Sequence, residues 1–489
     1  MDPSAPSAAP ENPPSRGLVL GLAPAHLWIL LAAALGWLFD AMDQRLFILA
    51  RTPALRDLSP GVDPASLPTL AGWATALFIA GWATGGLAFG LVGDRWGRVR
   101  TMALTILMYS VFTGLSGLAR SWPEFAAYRF LCGMGIGGEY AAGVALVAEA
   151  MPARARAFCL GLVQAASSIG AILGSGLSLL VGPQSRVGGY EGWRVLFFFG
   201  VIPSVLLVLL RFRVPEPDRW IRARDEARRD PQPGRKMGDV REIFSDPKLR
   251  RRTLIGMALG MVGQVGLWSI GLYTPELVRD TLFRQHRREV QAELKAGGRD
   301  ALAIEAIGNQ DDLARAWAAR TGTDAAPRLA AWKAEADGYV GRGTLLQDVG
   351  SFFGAPFCTW IAIRFGRRRA FATAYAMAMA SVWLVFGGMS RGPDVYWMLP
   401  LLGFCTCGIF GVIVVYLPEL YPTRLRTTGM GFCYNMARYL TATGPILLGR
   451  LALGVGGYSR AALCMSLIYV LGLLVVPFAP ETRDQPLPD

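Results

Sequence analysis

The sequence predicts an all-α membrane protein, with twelve transmembrane helices in two pseudo-symmetric halves of six. Three observations carry that prediction. Hydrophobic residues make up 53% of the 489 residues and charged residues only 17%, with a mean hydropathy of +0.35; soluble domains carry about 25% charged residues. The apolar residues fall in long blocks with few charges inside, and about 20 such residues cross a bilayer as a helix. A charged phrase, Glu-x-x-Pro-x-Arg-x-Arg, occurs twice, as EAMPARAR at 149–156 and ELYPTRLR at 419–426, each time ending an apolar block. A soluble enzyme with a buried core does not fit, because its helices rarely run so far without a charge.

The blocks are 24–50, 68–92, 101–118, 124–149, 158–182 and 193–211, then 253–278, 343–363, 370–388, 395–418, 428–452 and 459–478. Residues 1–23 are rich in Pro, Ala and Ser and lack a cationic n-region, so they read as a disordered cytoplasmic tail and not as a cleaved signal peptide. The N-terminal half is then 24–211, a basic cytoplasmic loop is 212–252, the C-terminal half is 253–478, and 479–489 is a second tail.

Other paired motifs support the division. GLVGDRWGRVR (90–100) follows the second block and AIRFGRRR (362–369) the eighth, while PEPDRW (215–220) follows the sixth and PETRDQPLP (480–488) the twelfth. Parallel repeats of this kind place a substrate site between the halves, near the bilayer midplane. The repeat offset grows between the seventh and eighth blocks, where 279–342 is polar and the equivalent 51–67 is short. Segments such as RQHRREVQAELKA and DDLARAWAARTG have high helix propensity. The insertion is expected to form a small outer helical cap, whether a lid, a docking element or a passive elaboration.

The formal charge of +13 reflects topology and not a nucleic-acid partner. With the N-terminus inside, the short inner loops hold Arg95, Arg98, Arg100, Arg154, Arg156, Arg364, Arg367, Arg368, Arg369, Arg424 and Arg426, and the short outer loops only Arg51, Arg56, Arg120, Arg186 and Arg391. That asymmetry follows the positive-inside rule and puts both termini in the cytoplasm of a cell whose plasma (inner) membrane holds the chain. The seven cysteines lie in or beside apolar blocks and imply no disulfide framework. His26 and His286 lie far apart. No metal site, cofactor or enzymatic activity is expected.

Charges inside spans are costly and are functional candidates by default. They are Asp40, Asp43 and Arg45 in the first block, Arg129 and Glu139 in the fourth, Glu276 in the seventh, Asp348 in the eighth and Arg438 in the eleventh. Asp40 and Asp43 share a helix face at i, i+3. Arg438 suits a substrate carboxylate, because a guanidinium can hold one bidentately, although it can equally bond helix carbonyls. Gln164, Gln264, Trp268, Tyr273 and Asn435 are polar or aromatic groups expected to line the cavity. At the inner rim, Glu149 and Glu419 can accept hydrogen bonds from arginines in neighbouring loops, forming latches that break when the halves rock; the plainer alternative is that these charges only orient the chain.

These motifs resemble those of the major facilitator superfamily, from about residue 24 to 488 excluding 279–342. Gly90, Asp94, Arg95, Gly97 and Arg98 resemble its loop between helices 2 and 3, with Val99 departing from the usual basic residue. Leu131, Gly133, Gly137, Leu146, Glu149 and Arg156 match the spacing of a sugar-porter-type signature after helix 4. The resemblance implies an alternating-access transporter. Gly90, Asp94, Arg95, Gly97, Arg98, Glu149, Arg156, Arg364, Arg367, Glu419 and Arg426 would be its gating residues. In proton-coupled sugar porters a helix-1 acid pairs with a helix-4 Arg, here Asp43 and Arg129, with Asp40 and Glu139 as further proton-coupling candidates. Gln164 matches a sugar-contacting position of helix 5.

The seventh block has one Gln, Gln264, where sugar porters carry a Gln-Gln pair. The first block's Asp-x-x-Asp resembles that of aromatic-acid and sialic-acid-like anion:proton symporters. The expected function is therefore proton-coupled uptake of a small organic solute, a carboxylate being favoured, by a monomer in the lipid bilayer. A sugar or polyol porter and a non-transporting sensor on the same fold remain the alternatives.

Overall fold

The computed structural model describes residues 22–63, 66–183, 185–202, 204–205, 212–229, 236–298, 304–455 and 457–488. It is nearly all helical. The first half runs α1 (Pro24–Leu58), α2 (Leu67–Trp96), α3 (Arg98–Leu118), α4 (Trp122–Ala150) and α5 (Ala153–Val181). A two-residue hairpin, Arg186–Val187 against Tyr190–Glu191, then leads into α6 (Gly192–Phe199). Beyond α7 (Asp218–Arg229) and α8 (Val240–Ser245), the second half begins with α9 (Pro247–Val265) and α10 (Thr274–Ala296). It continues with α11 (Gln310–Thr321), α12 (Ala325–Phe365), α13 (Arg367–Gly388), α14 (Val395–Glu419), α15 (Arg426–Val455), α16 (Tyr458–Met465) and α17 (Ile468–Val475).

Among the described residues, eight helical segments are long and apolar enough to cross a membrane. The other four predicted spans, 193–211, 253–278, 343–363 and 428–452, are helical or turn-like in their described parts. Large apolar side chains such as Trp73, Leu180, Trp360, Trp383 and Leu474 are exposed on the outside of the bundle, the arrangement lipid favours.

Helix contact is set by small residues. A Cβ at Gly133 or Gly137 of α4 would strike the carbonyl oxygens of Phe78 and Trp82 in α2. In the second half, Gly350 and Gly354 of α12 meet the Pro400 and Phe404 carbonyls of α14 in the same way. Only glycine permits backbones this close. The turns after α2 and α12 are also matched, since Gly97 and Gly366 have φ of +120° and +97°, a region that favours glycine. The end of the bundle carrying these two turns is called here the motif end.

Two sequence expectations need correction. The central loop 212–252 holds α7, α8 and the start of α9, the last two begun by side chains of Asp239 and Asp246 that accept from backbone N–H groups. The seventh span is not one α-helix: it loosens into a π-turn at Gly266–Ile270 and a tight turn at Gly271–Tyr273. Glycine's low helix propensity weakens this stretch, and the Tyr469 hydroxyl fills the space a Cβ on Gly266 would need. In the insertion 279–342, α10 and α12 run unbroken out of the bundle. With α11 they enclose a small core of Val290, Leu294, Ile304, Leu313, Ala314 and Trp332. The expected tail 1–23 falls almost wholly outside the described residues.

Candidate functional site

Away from the motif end, α1 and α4 bring two oppositely charged groups together. Arg129 Nη1 donates to Asp43 Oδ2 at 3.3 Å, and both side chains are buried. Thr113 Oγ1 donates to Asp43 Oδ1 at 2.7 Å, while Arg129 Nε donates to Ser116 Oγ at 2.9 Å and Nη2 to the Phe112 carbonyl at 3.3 Å. The guanidinium also lies 4.7 Å from the Phe197 ring centroid. Asp43 thus has a specific partner for its charged form and hydroxyl and thiol neighbours besides.

Asp40, one turn earlier, is buried with neither oxygen at hydrogen-bond geometry to any described residue. Glu139 is buried against α1, where a Cβ on Gly36 would strike its Oε1, and its Oε2 is likewise unpartnered. Burying unpaired carboxylate charge is expensive. The two acids and Asp43 form one cluster in the first half.

The second half answers with a cation. The Arg438 guanidinium of α15 is 1% exposed and lies 3.5 Å from the Trp82 ring centroid, 4.8 Å from Tyr434 and 5.9 Å from Trp268. Tyr434 stacks on Tyr140 of α4 at 3.8 Å, Tyr140 packs on Trp37 at 5.0 Å, and Trp82 meets Trp268 edge-on at 5.9 Å. Arg438 Nε and Nη1 and both amide atoms of Gln264 have no hydrogen-bond partner at ordinary geometry among the described residues. An aromatic box contributed by both halves therefore encloses unsatisfied donors.

The remaining expected groups are placed differently. Asn435 donates Nδ2 to the Gly431 carbonyl at 3.0 Å and packs on Gly86, so it sits in the contact between α15 and α2, with Oδ1 unpartnered. Gln164 is buried on α5, and no hydrogen bond or ring contact ties it to the Arg438 box among the described residues. Trp82, Tyr140, Tyr434 and Trp37 do not stand out in the sequence, where aromatics in apolar blocks look alike.

At the motif end the repeated phrases become matched networks. In the first half Arg98 donates to both oxygens of Glu149, at 3.0 and 2.9 Å, and to the Gly93 carbonyl at 2.9 Å. In the second half Arg367 does the same with Glu419, at 3.0 and 2.6 Å, and with the Ala362 carbonyl at 3.1 Å. Glu216 accepts from the Val99 and Arg100 nitrogens at 3.1 Å, and Glu481 from those of Arg367 and Arg368 at 2.9 and 3.1 Å. Backbone hydrogen bonds hold the Glu481 carboxyl below the usual range although burial alone pushes it up.

Other bonds cross between halves. Arg426 Nη1 donates to Glu149 Oε1 at 2.8 Å, and Arg98 Nη2 to the Thr423 carbonyl at 2.6 Å. Asp94 caps the first turn of α15, accepting from the Thr427 and Thr428 nitrogens at 3.2 and 2.9 Å and from Thr428 Oγ1 at 2.6 Å. Thr427 Oγ1 donates to the Gly90 carbonyl at 2.7 Å. Arg95 reaches the central loop at Met237 and Gly238. Arg156 is buried with Nε unpartnered, whereas Arg364 is exposed.

A many-spanned helical bundle with a polar cluster buried between two halves, and ionic ties linking those halves at one end, is the architecture of a secondary transporter. The chain belongs to the Major Facilitator Superfamily, whose profile matches residues 33–282. It is 26% identical over 463 residues to a probable 4-methylmuconolactone transporter of Cupriavidus pinatubonensis, covering 92% of this chain and 89% of that one. It is also 26% identical over 418 residues to the cis,cis-muconate transport protein of Acinetobacter baylyi, covering 85% and 86%. Among solved structures, the proton:xylose symporter XylE bound to 6-bromo-6-deoxy-D-glucose superposes with a TM-score of 0.68 at 18% identity, covering 95% of this chain and 98% of that one. The protein is thus a multi-pass membrane transporter of a small molecule and not an enzyme.

Proposed function

We propose that the protein takes up a small, flat carboxylate together with protons, by alternating access. The observation that carries this reading is Arg438: a buried guanidinium with two unsatisfied nitrogens inside an aromatic box. A planar anion meets both features at once, since its carboxylate accepts from a free guanidinium N–H and its conjugated face stacks on Trp82 or Tyr434. Gln264 supplies a further hydrogen bond. Trp268 closes the box, while Asn435 packs in the neighbouring contact between α15 and α2. The muconate named for one relative is such a planar anion.

The proton site in this reading is Asp43 with Arg129. Protonating Asp43 removes the charge that holds Arg129, which then relaxes toward its α3 partners, Ser116 and the Phe112 carbonyl, and loosens α1 against α4. Asp40 and Glu139 lie between this pair and Arg438, so they relay the change of charge toward the substrate. The motif-end residues Gly90, Asp94, Arg95, Gly97, Arg98, Glu149, Arg156, Arg364, Arg367, Glu419 and Arg426 act as or around the inner gate. Their positive balance argues that the motif end and both termini face the cytoplasm, in the plasma (inner) membrane. The pathway lies between halves of one chain, so a monomer suffices.

Purified protein in liposomes, with an inward proton gradient, would be offered radiolabelled benzoate, cis,cis-muconate, N-acetylneuraminate and xylose separately. Gradient-driven accumulation of benzoate or muconate is expected. Accumulation of xylose alone would overturn the carboxylate reading in favour of a sugar porter.

A further inference from the structure

The motif-end ties account for one side of the bundle; a different pair spans the halves further along. α1 packs on α5 so closely that a Cβ on Gly170 would meet the Leu38 carbonyl, and one on Gly174 would lie 2.9 Å from the Cβ of Arg45. α12 is fixed on α14 through Gly350 at the Pro400 carbonyl and Gly403 at the Gln347 carbonyl. Arg45 and Asp348 are therefore each held rigidly in their own half. Between them, Arg45 Nη2 donates to both carboxylate oxygens of Asp348, at 2.7 and 2.6 Å, with the side chains 18% and 12% exposed.

Counted along α1 from Pro24 and back along α12 from Phe365, this pair lies about 25–32 Å from the motif end at a rise of 1.5 Å per residue. The aromatic box lies between the two levels, since its residues sit mid-helix in α2, α4 and α15. Both levels are tied in this conformation. A rigid-body rocking of one half against the other separates charges fixed to different halves, so neither side opens with its ionic tie intact.

We infer that the Arg45–Asp348 ion pair is the gate of the insertion side, the counterpart of Glu149–Arg426 at the motif end. This rests on the alternating-access reading. In this cycle the insertion side opens only when Arg45 and Asp348 part and water replaces each partner. The motif-end ties hold the opposite side shut meanwhile.

The test reads access and not transport, so it needs no known substrate. Cys407 of α14 is 7% exposed and lies beside Asp348, toward the motif end. In a chain whose other six cysteines are replaced by Ser, Cys407 would be treated from the insertion side with a membrane-impermeant maleimide. Arg45→Gln and Asp348→Asn are each expected to raise the labelling rate roughly ten-fold by shifting the population toward the open side. The swap of Arg45→Asp with Asp348→Arg is expected to restore slow labelling. Detergent melting curves identify any variant that has simply lost its fold, and the swap still decides the question in that case. Unchanged labelling in the single variants, or a swap that labels as fast as they do, would overturn the gate. Transport with unaltered labelling sinks the gate alone, whereas altered labelling in a protein that moves no tested solute sinks the transport reading alone.

Discussion

The carboxylate of Asp94, at the end of α2, accepts the backbone N–H of Thr428 at 2.9 Å and its hydroxyl at 2.6 Å, so that one half of the molecule caps a helix of the other. The first turn of a helix leaves N–H groups unpaired and carries a partial positive charge. Asp94 answers both needs, and only while the motif end is closed. Asp94→Asn keeps the shape and loses the charge. It is expected to slow substrate exchange across liposomes by about ten-fold, the effect of roughly 1.4 kcal/mol, the scale of a charge-assisted hydrogen bond. Substrate affinity should stay within about three-fold, because the Arg438 box is untouched. A loss confined to affinity in equilibrium binding would remove Asp94 from the gate.

Arg438→Lys preserves charge but replaces a planar fork with a point donor. Binding of benzoate or cis,cis-muconate, measured by scintillation proximity, is expected to weaken by roughly ten- to a hundred-fold, in keeping with the stronger, bidentate bonds a guanidinium makes. An unaffected Lys variant would move the anion site away from Arg438.

The close helix contacts predict a sharp size limit. Gly137→Ala puts a methyl onto the Trp82 carbonyl, where no flexible side chain can give way. Overpacking of this kind costs about 1–3 kcal/mol, and backbone contact puts it at the upper end. A fall in detergent melting temperature of several degrees is expected. Gly341→Ala, in α12 where an added Cβ meets nothing within 4 Å, should instead leave the melting temperature unchanged or raise it slightly, since alanine is the better helix former. A melting temperature for Gly137→Ala equal to that of the parent would mean that α2 and α4 stand further apart than described.

The orientation is tested by labelling Ala325→Cys, at the start of α12 in the insertion, in a cysteine-free background. Impermeant maleimide added to intact cells should label it. Labelling seen only from the cytoplasmic side would invert the proposed topology.

The span pattern was readable because lipid demands long apolar helices, and the two halves because their charged turns repeat. Arg98, Glu149, Arg367, Glu419 and Arg426 were visible for that reason. Asp43 with Arg129 could be paired by resemblance. The aromatic box could not, because Trp82, Tyr140 and Tyr434 sit in blocks where most aromatics face lipid or pack, and one sequence does not fix the rotation of a helix. The same limit misjudged Asn435, which rests on Gly86 in a helix contact. Arg45 and Asp348 each stand out as charges in spans, but nothing local joins residues 303 apart. Helix propensity marks the insertion as helical, but hydropathy, which stops at residue 278, does not show that α10 and α12 run into it unbroken.

Coupling in this mechanism depends on Asp43 carrying the proton, and Asp43→Asn isolates that step. The amide mimics the protonated acid and leaves Arg129 without its anionic partner. In liposomes loaded with unlabelled muconate or benzoate, the variant should still exchange labelled for unlabelled solute. With an inward proton gradient and empty liposomes, it should not accumulate solute above the outside concentration. Accumulation against the gradient by Asp43→Asn would contradict the mechanism and place the coupling proton elsewhere, with Glu139 or Asp348 next to be tested.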